Sequence, residues 1–161
     1  MIKILNSKFN NLLKEISYNF GFNYCLGQPY IFAIETTNRC NLKCIMCPRT
    51  TMMKRKIGDM DFNLFKKIVN ESSGHTKFMW LHDFGEPLLH PNIIEMIKYA
   101  KIKGIRVGIS VNAGTLTEKM SKDLIQSGLD HIIFSFDGFS KKTYEKYRVG
   151  AKFERVKQNI L

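Results

Sequence analysis

From Tyr30 onward, short apolar runs alternate with helical patterns, and this alternation limits the fold more than any other feature of the 161-residue chain. Tyr30–Glu35, Phe78–Leu81, Ile105–Val111 and His131–Phe136 read as strands, rich in β-branched and aromatic residues. Between them lie helical stretches. One runs from Phe62 to Glu71 behind an Asp61 cap, one from Asn92 to Lys103 closed by Gly104, and one from Glu118 to Ser127 between Thr117 and Gly128. Ser140 caps a last helical region. Runs such as Ile132-Ile133-Phe134 are almost continuously apolar, the pattern of parallel strands covered on both faces. Repeated βα units join by right-handed crossovers and give an open doubly wound sheet or a barrel, with functional groups at the C-terminal ends of the strands in either case. The residues just after each strand are therefore the ones to read for chemistry.

Ahead of this α/β region, Ile2, Leu5, Phe9, Leu12, Leu13, Ile16 and Phe20 recur at helical spacing, with Gly21, Gly27 and Pro29 closing the segment. Residues 1–28 read as an amphipathic helix and linker, expected to pack on the domain at 29–161; lying on a membrane surface is the alternative. No apolar run is long enough to span a membrane, and Asn6, Lys8, Asn10, Asn11, Lys14 and Glu15 interrupt any signal-peptide core, so a cytoplasmic location is expected. The cytosol keeps thiols reduced, which turns attention to the four cysteines as ligands rather than disulfides.

Three of them follow the first strand in Cys40-Asn41-Leu42-Lys43-Cys44-Ile45-Met46-Cys47-Pro48-Arg49, a Cys-x3-Cys-x2-Cys loop. Such spacing sets three thiolates around one centre, and sulfur ligation selects zinc, Cu(I) or an iron–sulfur cluster. Structural zinc takes four protein ligands, and Cys25 lies fifteen positions upstream of the loop. A four-iron cluster on three cysteines instead leaves one iron open for a small molecule.

The loop resembles the signature of the radical S-adenosylmethionine (radical SAM) superfamily, and the other strand ends agree with it in order. Phe84-Gly85-Glu86-Pro87 is similar to the family's Gly-Gly-Glu-Pro element, with Phe84 in place of the first glycine. Ser110-Val111-Asn112-Ala113-Gly114 and Ser135-Phe136-Asp137-Gly138 resemble its Thr-Asn-Gly and Ser-x-Asp-Gly elements. The resemblance implies a parallel (β/α) partial barrel. It also implies a 4Fe-4S cluster on Cys40, Cys44 and Cys47, and S-adenosylmethionine (SAM) held by Met46, Gly85, Glu86, Asn112, Ser135 and Arg148. Gly85 and Glu86 would receive the methionine ammonium, Asn112 and Ser135 the ribose and carboxylate, Met46 the adenine, and Arg148 the carboxylate in a bidentate pair. The implied reaction is reductive cleavage of SAM to a 5'-deoxyadenosyl radical that abstracts hydrogen from a substrate the sequence does not name. Cys47-Pro48-Arg49 and the Gly85–Pro91 stretch resemble the branch that often carries a C-terminal SPASM or twitch domain.

At about 30 residues per unit, residues 30–161 hold roughly four βα units, so the core is expected to be incomplete, with an apolar edge at Ile132–Phe136 and an open adenine side. A net charge of +11 favours acidic partners, and an acidic reductant such as flavodoxin or ferredoxin is expected at the basic stretch Arg49–Lys56. Two other readings stand beside this one. The first is a zinc-dependent nucleic-acid-binding module using Cys25 with Lys43, Arg49, Lys54, Arg55 and Lys56, although no aromatic platform interleaves with these charges and no nucleic acid is expected. The second is a truncated, non-catalytic fragment.

Overall fold

A computed structural model describes residues 7–161. Its centre is a sheet of four parallel strands in the order β1 (Ile31–Ala33), β2 (Phe78–Trp80), β3 (Arg106–Val111) and β4 (His131–Phe134). In register, Phe32 pairs with Met79, Met79 with Val107 and Ile109 with Ile132. The helices are α1 (Ser7–Asn19), α2 (Pro48–Thr51), α3 (Phe62–Ser72), α4 (Ile93–Ile102), α5 (Glu118–Gln126), α6 (Lys141–Tyr147) and α7 (Phe153–Ile160), with a 3-10 turn at Pro87–Leu89. The repeated parallel β/α units follow the alternation in the sequence, and the sheet is the partial (β/α) barrel that the family resemblance implies.

Local chemistry explains where the helices start and stop. Asp61 accepts the Leu64 N–H at 2.9 Å, Thr117 the Met120 N–H at 3.2 Å and Ser140 the Thr143 N–H at 3.2 Å, so each expected cap satisfies an otherwise orphaned donor. Gly104 and Gly128 end α4 and α5 in the left-handed region, at φ +76° and +79°. The core joins Phe65 and Val69 of α3 and Ile93, Met96, Ile97 and Ala100 of α4 to Met79, Val107 and Ile109 of the sheet, all buried. Burying each large aliphatic side chain is worth ~1.5–3 kcal/mol, which fixes these helices on the sheet and hence the loops at its C-terminal edge.

Two expectations need correction. Coverage of every strand on both faces fails at the two edge strands: Ile31 of β1 is 56% exposed, and Ile132 and Ile133 of β4, where an apolar edge was expected, are 36% and 48% exposed. The packing expected of the α1 stripe is also not what is found: Phe9 and Leu12 are about half exposed. Buried instead are Asn10 and Ser17. Asn10 exchanges two hydrogen bonds with the Gln28 main chain, at 2.7 and 3.1 Å, and Ser17 accepts the Leu26 N–H at 2.9 Å. Polar ties to the linker, rather than apolar burial, position this helix. Ile2 and Leu5 of the same stripe lie outside the described residues.

Candidate functional site

The loop after β1 is held open by a clamp between residues 36–40 and 56–60. Asn38 donates to Lys56 O at 2.9 Å and accepts from Gly58 N at 2.8 Å, and Met60 N donates to Thr36 O at 2.8 Å. The Thr37 hydroxyl donates to Asp59 at 2.6 Å, and Arg39 reaches both Asp59, at 2.8–2.9 Å, and Leu89 O, at 2.6 Å. Burial pushes the Asp59 carboxyl upward, but the Thr37 hydroxyl and the Arg39 guanidinium outweigh it and hold the group below its ordinary range. Arg49 turns inward, donating to Asn38 O at 2.9 Å and Cys40 O at 3.0 Å. Arg55 pairs with Glu35. Of the basic stretch and its surroundings, the exposed lysines Lys43, Lys54 and Lys56 are left at the surface, so the two arginines brace the loop and its approach.

A cavity of about 240 Å³ opens at the C-terminal ends of the strands and brings together every residue the resemblance assigns to the cluster and to SAM: Cys40, Cys44, Cys47, Met46, Gly85, Glu86, Asn112, Ser135 and Arg148. Asp83, Phe84, Ser110 and Asp137 share its wall. Cys25 does not join them; it is exposed at a separate depression with Lys14, Tyr18 and Phe22. A second cavity beside β4, about 230 Å³, is lined mainly by Leu116, Leu124, Ile125, Leu129, Ile132 and Phe134, with Ser121, Asp130 and His131 also on its wall and no cysteine.

Glu86 is 2% exposed and ties two strand ends together. One carboxylate oxygen accepts the Asn112 N–H at 2.7 Å and the other the Leu88 N–H at 3.3 Å. Burial dominates, pushing the carboxyl up to about 7 against these two hydrogen bonds and the charge of Arg148. A buried carboxylate facing a cavity with lone pairs to spare is an acceptor for an ammonium group. The neighbouring Gly85 admits no side chain, since a Cβ there would stand 1.8 Å from Thr37 O. This close approach sets the β2 loop directly against the β1 loop.

Asn112 is fixed from both sides. Its carbonyl oxygen accepts the Gly114 N–H at 2.8 Å, and its amide donates to Asn41 at 2.9 Å. The next residue, Ala113, has φ +56°, the one left-handed non-glycine residue among those described, and its carbonyl accepts from Asn159 at 2.7 Å. A non-glycine residue in this region stores strain that the surroundings must hold. Ser135 lies 3.2 Å from the Ser110 hydroxyl, and Met46 is 49% exposed at the cavity mouth.

Among the described residues no three His, Cys, Asp or Glu side chains form a site for a single metal ion. The sulfurs nevertheless carry directed donors. Leu42 N–H reaches Cys40 Sγ at 3.4 Å, the Asn112 amide reaches the same sulfur at 3.8 Å, and Arg148 Nη1 reaches Cys44 Sγ at 3.9 Å. The Tyr144 hydroxyl is buried without a hydrogen-bond partner among the described residues, within electrostatic reach of Cys44. Burial raises the thiol pKa of Cys40 and Cys44, with Arg148 pulling Cys44 back. Thiolates here call for a bound metal group, and N–H donors aimed at sulfur suit the charged ligands of a larger iron–sulfur body. Arg148, which the resemblance sets on the cofactor carboxylate, is engaged by Asp137 through Nε at 2.6 Å and through Nη2. The sequence reading missed the roles of Asp59, Arg39 and Asp137, whose partners lie 11 to 50 positions away and leave no local signature.

A parallel β/α sheet with a three-cysteine loop and a buried carboxylate at its strand C-termini defines a cofactor-binding partial barrel. The chain belongs to the radical SAM superfamily, which matches residues 34–161. The tungsten-containing aldehyde ferredoxin oxidoreductase cofactor-modifying protein of Pyrococcus furiosus is 38% identical over 106 residues, 65% of this chain and 30% of that protein. A probable GTP 3',8-cyclase of Methanococcus maripaludis is 32% identical over 130 residues, 80% of this chain and 43% of that protein. The chain thus spans less than half the length of these relatives. In structure, BtrN solved with AdoMet and 2-DOIA superposes with a TM-score of 0.64 at 25% identity, covering 81% of this chain and 51% of BtrN. Members of the family are enzymes that bind a 4Fe-4S cluster and SAM. Among the described residues no helix is long and apolar enough to cross a membrane.

Proposed function

We propose that Cys40, Cys44 and Cys47 hold a 4Fe-4S cluster with one iron open, and that SAM binds beside it in the cavity at the strand ends. The carrying observation is that the three cysteines, Glu86, Asn112 and Ser135 line one cavity although they come from four different strand ends. A bound, reduced cluster would supply one electron for cleavage of SAM to methionine and a 5'-deoxyadenosyl radical able to abstract hydrogen from a substrate.

The chain's own part is to bind, orient and exclude water. Glu86 and the main chain beside Gly85 accept the methionine ammonium, while Asn112 and Ser135 meet the ribose and carboxylate with amide and hydroxyl groups. Met46, exposed at the mouth, packs through its polarizable thioether against the adenine. An acidic reductant, flavodoxin or ferredoxin, docks over Lys43, Lys54 and Lys56, and the protein works in the cytoplasm. The resemblance of Gly85–Pro91 to the SPASM and twitch branch accords with the BtrN fold. The zinc alternative loses its fourth ligand, because Cys25 lies at a separate depression.

The test is spectroscopic. SAM added to the reduced, reconstituted protein is expected to change the electron paramagnetic resonance (EPR) spectrum of the cluster, and Glu86→Ala is expected to weaken that response at least tenfold in SAM concentration. A spectrum indifferent to SAM in the unmodified protein would refute the cofactor site.

A further inference from the structure

The end of the sheet opposite the cysteine loop carries a surface that the cofactor site does not use. In α1 the buried side chains are polar, Asn10 and Ser17, and they are tied to Gln28 and Leu26 of the linker that leads into β1. Phe9 and Leu12 are left half exposed. The helix then closes in a Schellman motif, with Phe22 N–H on Ser17 O at 3.0 Å, Gly21 N–H on Tyr18 O at 3.1 Å and Gly21 at φ +62°. This ordered turn displays a ladder of rings. Phe20 stacks on Phe22 at 6.1 Å and Phe22 on Tyr24 at 5.5 Å, while Tyr18 and Phe20 are 87% and 73% exposed. Exposure this high means that both rings project from the surface rather than line a groove, the form of an element that inserts and not of one that receives.

Charge surrounds the rings without entering them. No Asp, Glu, Lys, Arg or His occurs from Ile16 to Ile34, so this face can leave water without stripping a charge of its hydration. Lys14 stands at its border, its ammonium 5.3 Å from the Tyr30 ring, in a depression of about 300 Å³ shared with Ser17, Tyr18, Asn23 and Tyr24. The exposed Lys77 adjoins Tyr30, donating its N–H to Tyr30 O at 3.0 Å. Projecting aromatic rings on an uncharged body, with cations at the rim, suit the boundary between acyl chains and anionic headgroups: the rings sit at headgroup depth and each cation is drawn to the negative surface. We propose that α1 and the turn Tyr18–Tyr24 dock the protein peripherally on an anionic phospholipid bilayer, the rings inserting and Lys14 and Lys77 meeting the phosphates. The cavity at the C-terminal ends of the strands then stays open to solution, and the docking is independent of what that cavity holds.

The full 161-residue chain is sedimented with vesicles of phosphatidylcholine containing phosphatidylserine and with vesicles of phosphatidylcholine alone, beside sizing chromatography. Binding to the anionic vesicles is expected, about tenfold weaker on the neutral ones and weakening as salt rises. Tyr18→Ser combined with Phe20→Ser keeps the +11 charge and is expected to lower the partition onto anionic vesicles about tenfold; Phe20→Ser alone carries the test if the pair does not fold. Lys14→Gln is expected to lower it about fivefold. Anionic vesicles that bind the ring variants as well as the unmodified chain would reveal only the general attraction of a basic protein and overturn the proposal. Equal binding of the unmodified chain to both vesicle types would overturn it too, since the cationic rim would then contribute nothing. So would absence of binding; a dimer lost in the ring variants would in that case assign the face to a second copy of the chain.

Discussion

Gly85→Ala isolates the contact that joins the first two strand-end loops. The new Cβ would lie 1.8 Å from Thr37 O, 2.7 Å from Thr37 C and 3.0 Å from Asn38 Cα, whereas ordinary contact begins at 3.4 Å, so one main chain must retreat by roughly 1.6 Å. Neither partner is a flexible side-chain tip. Thr37 is pinned through its hydroxyl to Asp59, and Glu86, next to Gly85, donates its N–H to Arg39 O at 2.7 Å. Overpacking against a fixed backbone costs ~1–3 kcal/mol, and losing one of these hydrogen bonds adds about 1 kcal/mol. The sum is about 3 kcal/mol, which for a chain of this size lowers Tm by roughly 6–12 °C. Thermal unfolding followed by circular dichroism reads this directly. Gly58→Ala serves as the control, because no atom of the described residues stands within 4 Å of its Cβ position. A Gly85→Ala protein melting within about 2 °C of the control would refute the argument that this glycine is required by close approach.

Other consequences follow from the same geometry. Cys25→Ser is expected to retain full cluster content while Cys44→Ser loses most of it, because Cys25 opens onto another depression; iron analysis of the two variants decides. Asp130 accepts from Lys101 at 2.7 Å and from Val107 N–H at 2.7 Å, and although burial alone would raise its carboxyl, these donors and Arg106 hold it below 3.8. Its folded value lies under its unfolded one, so the stabilisation is present above pH 3.8 and is lost as pH falls through the depressed value. Asp130→Asn is expected to cost about 2 kcal/mol at pH 7, and urea titrations should show the gap to the unmodified protein closing in acid. Electron delivery by an acidic flavodoxin should slow as salt rises, since Lys43, Lys54 and Lys56 steer it through a screened field; a rate independent of ionic strength would exclude that docking face.

The strands and helix caps were legible because they are local: Asp61, Thr117, Ser140, Gly104 and Gly128 act within a few positions of themselves. The site was legible for a related reason, that parallel βα units bring successive strand ends to one edge of the sheet. Arg148 shows where this reading stops. Its motif position points to a cofactor carboxylate, but its orientation depends on Asp137 and on main-chain pairing of residues 147–149 with 43–45, both products of the folded chain. Arg49 reads as surface charge and instead turns inward onto two carbonyls, while Arg55 stays at the surface, paired with Glu35. In α1 the apolar periodicity was real, yet burial followed the hydrogen bonds of Asn10 and Ser17.

The proposed chemistry requires that the loop of Cys40, Cys44 and Cys47 carry iron and sulfide. Metal analysis of the anaerobically reconstituted chain tests it most directly, read beside the absorbance spectrum. About four irons and about four sulfides per chain, with a broad band near ~400 nm that bleaches in air, are the expected result. Stoichiometric zinc with no iron would contradict it.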